Sequence, residues 1–136
     1  LGATFCDLGV QPVANSYIPP QRAHEPEPRF PLRALVCDGC RLVQLDTVVN
    51  AHGIFSDYAY FSSASASWLD HAARYAEAMM KRLALTPGSF VVEVASNDGY
   101  LLKNFVAGGI PCLGVEPAAN VAEIARQGGV PTETAF

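Results

Sequence analysis

The feature that most constrains this chain is the stretch Phe90-Val-Val-Glu-Val-Ala-Ser-Asn-Asp-Gly99. A run of β-branched and apolar residues breaks at a small polar turn and passes into the helical pattern Tyr100-Leu-Leu-Lys-Asn-Phe105, which reads as strand, tight loop and helix. Such a crossover belongs to a doubly wound α/β sheet, where small ligands sit outside the carboxyl ends of the strands, beside this loop. Glu93 near the strand end and Asp98 in the loop flank that place, and paired carboxylates there suit a cation.

The same pattern continues downstream. Leu101, Leu102, Phe105 and Val106 form the inward face of a helix ended by Gly108-Gly109, and Ile110-Pro-Cys-Leu-Gly-Val-Glu116 is a second strand with Glu116 at its carboxyl end. Pro117 starts another helix, carrying Val121, Ile124 and Ala125 inward, and Gly128-Gly129 closes it before a third strand at Val130. Alternating strand and helix implies a parallel sheet. Upstream, Ser67-x-x-Asp70 fits a capping-box start for a helix whose Trp68, Ala72, Tyr75, Ala76, Met79 and Leu83 form one apolar stripe, stopped by Thr86-Pro-Gly-Ser89. His71 lies beside that stripe, where an ordinary half-exposed histidine and a catalytic one are both open readings.

Residues 1 to 60 read differently. The proline-dense segment Pro19 to Pro28 forbids regular helix, so the start is loop or edge strand. Phe30 to Val36 and Arg41 to Asp46 are strand-like runs joined by Cys37-Asp-Gly-Cys40, a hairpin whose turn holds two thiols. Buried small hydrophobes, a redox dithiol and a metal knuckle are the alternatives. A redox Cys-x-x-Cys opens a helix, whereas a pair between strands has zinc-ribbon geometry, so Zn2+ ligation by Cys37 and Cys40 is preferred. Tetrahedral zinc takes four ligands; a second Cys-x-x-Cys upstream of Leu1, or Cys6 with His24 or His52, would complete the set. Asn50 to Tyr58 reads as a short helical turn broken at Gly53, followed by the aromatic and then Ser- and Ala-rich Tyr58 to Ser67, a linker composition that carries two tyrosines. The expected domains are therefore 1–60 and 61–136.

Nine Lys and Arg are scattered against a net charge of −4, which argues against a nucleic-acid backbone as main partner. No run approaches the roughly 20 apolar residues of a membrane span, and the opening carries no targeting pattern, so the expected location is cytoplasmic, away from membranes. The absence of an initiating Met, and an end just after a third strand signal, suggest a fragment. For the loop ligand, a dinucleotide fingerprint would need G-x-G-x-x-G; only Gly99 matches, and Asp98 would repel a pyrophosphate. S-adenosylmethionine has no phosphate and brings an ammonium and a sulfonium that Glu93 and Asp98 favour. Glu116 could accept its ribose hydroxyls, as it could those of NAD.

Val92-Glu-Val-Ala-Ser-Asn-Asp-Gly-Tyr-Leu-Leu102, with Leu113-Gly-Val-Glu-Pro-Ala118 and Asn120, resembles the family of sugar C-methyltransferases that act on nucleotide-linked deoxy-keto sugars. Cys37-x-x-Cys40, Asp57-Tyr-Ala-Tyr-Phe-Ser-Ser63 and Asp7-Leu-Gly-x-Gln-Pro-x-Ala-Asn15 resemble that family's zinc-binding domain and junction. The family has a further Cys-x-x-Cys before the Asp-Leu-Gly segment and a carboxyl-terminal half with more catalytic Tyr and His residues. Against the general methyltransferase loop of acid-x-Gly-x-Gly-x-Gly, Ala95 and Asn97 replace glycines. The resemblance implies a β-rich zinc-ribbon-like domain followed by the first half of a Rossmann-like sheet. S-adenosylmethionine would be held by Glu93, Ala95, Ser96, Asn97, Asp98, Gly99, Glu116 and Pro117, and its methyl would pass to a carbon beside a ketone in a nucleotide-linked deoxysugar. Tyr60, then Tyr58 and His71, are the candidates for substrate contact or proton handling. Two other classes stay open: a non-catalytic zinc-ribbon and Rossmann-like binding module, and a NAD-dependent sugar enzyme.

Overall fold

The structure, a computed structural model, describes residues 2–47 and 49–136; Leu1 and Val48 lie outside the described residues. The chain divides into two compact units, Leu1–Ile54 and Phe55–Phe136. The boundary expected after residue 60 lies beyond this division, because the backbone from Ser56 to Ser63 bonds to loops of the second unit.

The first unit is built on a three-stranded antiparallel sheet in the order β1 (Thr4–Pro12), β2 (Arg29–Val36), β3 (Val43–Leu45). The β2–β3 hairpin pairs Val36 with Val43 and Ala34 with Leu45, and Arg33 Nε donates to Asp46 Oδ2 at 2.7 Å across it. Of the two readings open for the start of the chain, the edge strand is found. β1 pairs along β2 with register shifts between Thr4 and Cys6 and between Asp7 and Val10, and Gly9 takes the left-handed backbone (φ 71) inside the second bulge. The proline-rich segment keeps only a 3-10 turn at Pro20–Arg22. Gly53 does not break the helical turn as expected: α1 runs Ala51–Phe55, started by the Asn50 side chain accepting from the His52 N–H at 3.0 Å.

The second unit carries a parallel sheet in the order β4 (Val91–Val94), β5 (Cys112–Val115), β6 (Thr132–Glu133). Helices α3 (Leu102–Ala107) and α4 (Ala119–Gln127) make the two crossovers, and α2 (Ala66–Arg82) packs on α3. The alternation read from sequence is therefore present, although each helix begins one to two residues from the expected start. α2 is capped by Ser65, whose hydroxyl accepts from the Trp68 N–H at 3.3 Å; Ser67 lies inside the helix. The reason is backbone: Ser65 holds the extended φ and ψ that an N-cap needs.

Burial follows one face of the sheet. Ala76, Leu102, Phe105, Ile110, Cys112, Ala125 and Val130 form the core, with Met79 and Met80 packed against it. Of the stripe on α2, Ala72 and Ala76 are buried while Trp68, Tyr75 and Leu83 stay exposed. On β4 the pattern alternates, so Val91 and Glu93 turn toward the helices while Val92 and Val94 are exposed. That alternation puts a carboxyl group under the helix layer.

Candidate functional site

The loop between β4 and α3 takes its shape from three left-handed residues, Ala95 (φ 59), Asn97 (φ 50) and Gly99 (φ 76). They alternate along the chain, and at two of the three the left-handed backbone is held by a residue that carries a side chain. Gly99 is the tightest: a Cβ there would stand 3.0 Å from Val130 Cγ2 and 3.2 Å from Ala125 Cβ. Ala95 N and Ser96 N both donate to Val115 O, at 2.8 and 3.2 Å, which fastens the loop to the end of β5.

Glu116 ties the loops together from below. Its Oε2 accepts from the Asn97 N–H at 2.8 Å and its Oε1 from the Ala118 N–H at 2.9 Å, with the residue only 5% exposed. Sequence reading gave Glu116 to a ribose diol; here its first task is to brace two backbone turns, leaving only its remaining lone pairs for a ligand. Glu116 and Pro117, with Ala95, Asn97 and Tyr100, still line a cavity of about 320 Å³. Its other wall is Phe55, Tyr58 and Ser62.

Three buried oxygens in this loop have no hydrogen-bond partner: Glu93 Oε2, Ser96 Oγ and Asp98 Oδ1. Burial pushes the Glu93 carboxyl from 4.5 up to about 7. The Tyr100 hydroxyl is pushed up as well, first by burial and then by the field of Glu93, against a hydrogen bond from Trp68 that works the other way. The Ser96 hydroxyl sits over the sheet, where a Cβ on Gly114 would come within 2.4 Å of it. Two carboxylate oxygens and one hydroxyl are thus buried without partners at the end of β4 and in the loop that follows it, and Glu93, Ser96 and Asp98 do not themselves line the cavity.

The segment from Ser56 to Ser63 crosses this loop and the one after β5. Ser62 N donates to Asn97 Oδ1 at 2.8 Å and Asn97 Nδ2 donates to Tyr60 O at 3.1 Å. Ser63 N donates to Asp98 Oδ2 at 3.0 Å, and Ala119 N to Ser56 O at 3.4 Å. Asn120 takes the Tyr58 N–H on Oδ1 at 3.1 Å and gives Nδ2 to Tyr58 O at 2.9 Å.

Of the residues singled out from sequence, Ala95, Asn97, Glu116, Pro117 and Tyr58 line the cavity. Asp98 turns one oxygen to the Ser63 backbone, and Tyr60 is half exposed with its ring 6.4 Å from that of Tyr58. His71 is not brought in: it stacks on Trp68 at 5.2 Å and lines a separate depression with Tyr75 and Tyr100. Ser62 and Tyr100 were missed because the signals that mark them, a hydrogen bond from Ser62 to Asn97 and the packing of Tyr100 near Trp68, join distant parts of the chain and have no local pattern.

In the other unit, the Cys37 thiol is held below its ordinary 9.0, first by the backbone N–H of Cys40, then by that of Gly39 and by the Cys40 thiol. The left-handed residue of this turn is Arg41 (φ 65); Gly39 has no such need. Two thiols so placed could supply two of the four ligands that tetrahedral zinc takes. Among the described residues no group of three or more His, Cys, Asp and Glu side chains comes together, so Cys6 with His24 or His52 does not complete it. Cys112 is buried in the core of the second unit. No helix among the described residues is long and apolar enough to cross a membrane.

Residues 1–55 match a protein-family model described as "Putative zinc binding domain". The chain is also 34% identical over 125 residues to the C-methyltransferase NovU of Streptomyces niveus, a match that covers 92% of this chain. It spans 30% of the length of that relative.

Proposed function

We propose that this chain, which belongs to the family of methyltransferases carrying that zinc-binding domain, supplies the methyl-donor site of an S-adenosylmethionine-dependent C-methyltransferase. The parallel unit is read as the first half of a Rossmann-like class I methyltransferase sheet, and the antiparallel unit as a zinc-ribbon-like domain with Cys37 and Cys40 as two of its zinc ligands. The observation that carries the proposal is the set of three buried oxygens without partners, Glu93 Oε2, Ser96 Oγ and Asp98 Oδ1, two of them carboxyl oxygens. A pyrophosphate would bring negative charge to a place already flanked by two carboxyl groups. An ammonium and a sulfonium bring what it lacks, and two carboxylates favour their charge.

In this reading Glu93 and Asp98 bind the cationic end of the donor, and Glu116 holds the loop in shape while offering its free lone pairs to the ribose. When bound, S-adenosylmethionine supplies an electrophilic methyl group. Tyr58 and Tyr60 face the acceptor: their hydroxyls orient a nucleotide-linked deoxysugar by hydrogen bonds to its oxygens, so that the carbon beside the ketone meets the methyl. The relative's printed activity, C-methyl transfer, supports the reaction class. Two thiols kept for a metal fit a reducing compartment, the cytoplasm.

Thermal unfolding of the chain with added ligands tests the proposal. S-adenosylmethionine or S-adenosylhomocysteine should raise the melting temperature, by an amount that grows with concentration, while NAD should leave it unchanged. Protection by NAD and not by S-adenosylmethionine would reverse the assignment of the loop.

A further inference from the structure

We infer that Asn97 and Asn120 are positioning residues: their side-chain amides fasten the Ser56–Ser63 segment across the ligand cavity and so set where Tyr58 and Tyr60 stand. The inference rests on the reading of the cavity as the methyl-donor site. Each amide both accepts a backbone N–H and donates to a backbone C=O, Asn97 to Ser62 and Tyr60, Asn120 to Tyr58 alone. Only a carboxamide can do both at once, since a carboxylate has no donor and a hydroxyl cannot span the two groups. The pairs imitate the ladder bonds of a strand, and they tie one segment to the loops after both β4 and β5.

The consequence is a coupling between the segment and the cavity. Asn97 also donates its own backbone N–H to Glu116, so its peptide is fixed from below while its side chain is fixed from above. Tyr58, which lines the cavity with Glu116 and Pro117, has both its backbone N–H and its C=O bonded to the Asn120 side chain. A ligand that orders the cavity therefore orders the segment, and loosening the segment weakens the ligand. Asn120 makes no part of the cavity lining, so its loss acts through Tyr58 and not through a lost ligand contact.

The test compares the chain with Asn120→Ala and Asn120→Asp, by residue-resolved hydrogen exchange and by calorimetric titration with S-adenosylmethionine. In the unsubstituted chain the Tyr58, Ser62 and Ser63 amides should be protected, and more so with S-adenosylmethionine present. Asn120→Ala should expose the Tyr58 amide, lower affinity about tenfold and leave the ligand's protection confined to the loop after β4, with the melting temperature little changed. Asn120→Asp, which keeps the acceptor and loses the donor, should fall between. Equal affinity in Asn120→Ala with the Tyr58 amide exposed would overturn the inference. So would unchanged protection of that amide. If the unsubstituted chain binds no S-adenosylmethionine, the functional reading fails, while loss of Tyr58 protection in Asn120→Ala still scores the clamp by itself.

Discussion

Ala95 carries a methyl group at φ 59, a conformation that costs an L-residue about 1–2 kcal/mol. The side chain is exposed and contributes little packing, so strain dominates. Ala95→Gly should stabilise the chain by about 1 kcal/mol in urea denaturation; a loss of stability would mean that the entropy a glycine adds to the unfolded chain outweighs the relieved strain. Glu93 gives a pH signature. Burial raises its carboxyl from 4.5 to about 7, so the folded chain holds this proton more tightly than the unfolded one. Its contribution to stability is full below 4.5 and is lost as pH rises through about 7. Between about pH 5 and pH 8 the chain should therefore lose stability relative to Glu93→Gln, and a difference that stays flat over that range would count against a buried acid. Neither the alanine strain nor the raised acid is legible in the sequence beyond the residue types. Glu93 could be placed at a strand end, but whether it faces water or the helix layer depends on which face of β4 is covered.

The elements fared better than their ends. Strand, loop and helix after residue 90 are legible because β-branched runs and helical stripes are local signals, and the β2–β3 hairpin is legible for the same reason. The pairing of β1 with β2 joins residues as far apart as Thr4 and Leu35, so sequence could offer only loop or edge strand. The exchange of Ser65 for Ser67 as the cap of α2 turns on a backbone angle that neither residue type dictates. At the hairpin the turn brings Cys37 and Cys40 together, with the Cys37 thiol held below its ordinary 9.0 by the Cys40 and Gly39 backbone N–H groups. Cys37→Ser should lower the zinc content of the purified chain, read by metal analysis beside the unsubstituted protein; equal content would remove Cys37 as a ligand.

For the molecule as a whole, the two units divide the chemistry. One presents a pair of thiols in a hairpin turn, and the other holds buried, unpartnered oxygens next to a cavity whose lining includes Tyr58 and Tyr100. Sequence reading gave Glu116 to a ribose diol and could not see its bracing role, because the hydrogen bond that makes it a brace runs from residue 116 back to residue 97. For Tyr58 to Ser67 it left a linker and a site segment both open, and the amide pairs from Asn97 and Asn120 show the Tyr58 end of that stretch hydrogen-bonded to the second unit. The central claim is that the buried carboxylates Glu93 and Asp98 hold the cationic end of S-adenosylmethionine. Calorimetric titration of S-adenosylmethionine into the chain at about pH 8, where Glu93 is ionised, is the most direct measure. One site per chain should bind, and the Glu93→Gln, Asp98→Asn double variant should bind at least about tenfold more weakly. No heat from a folded chain, or equal affinity in the double variant, would contradict the account.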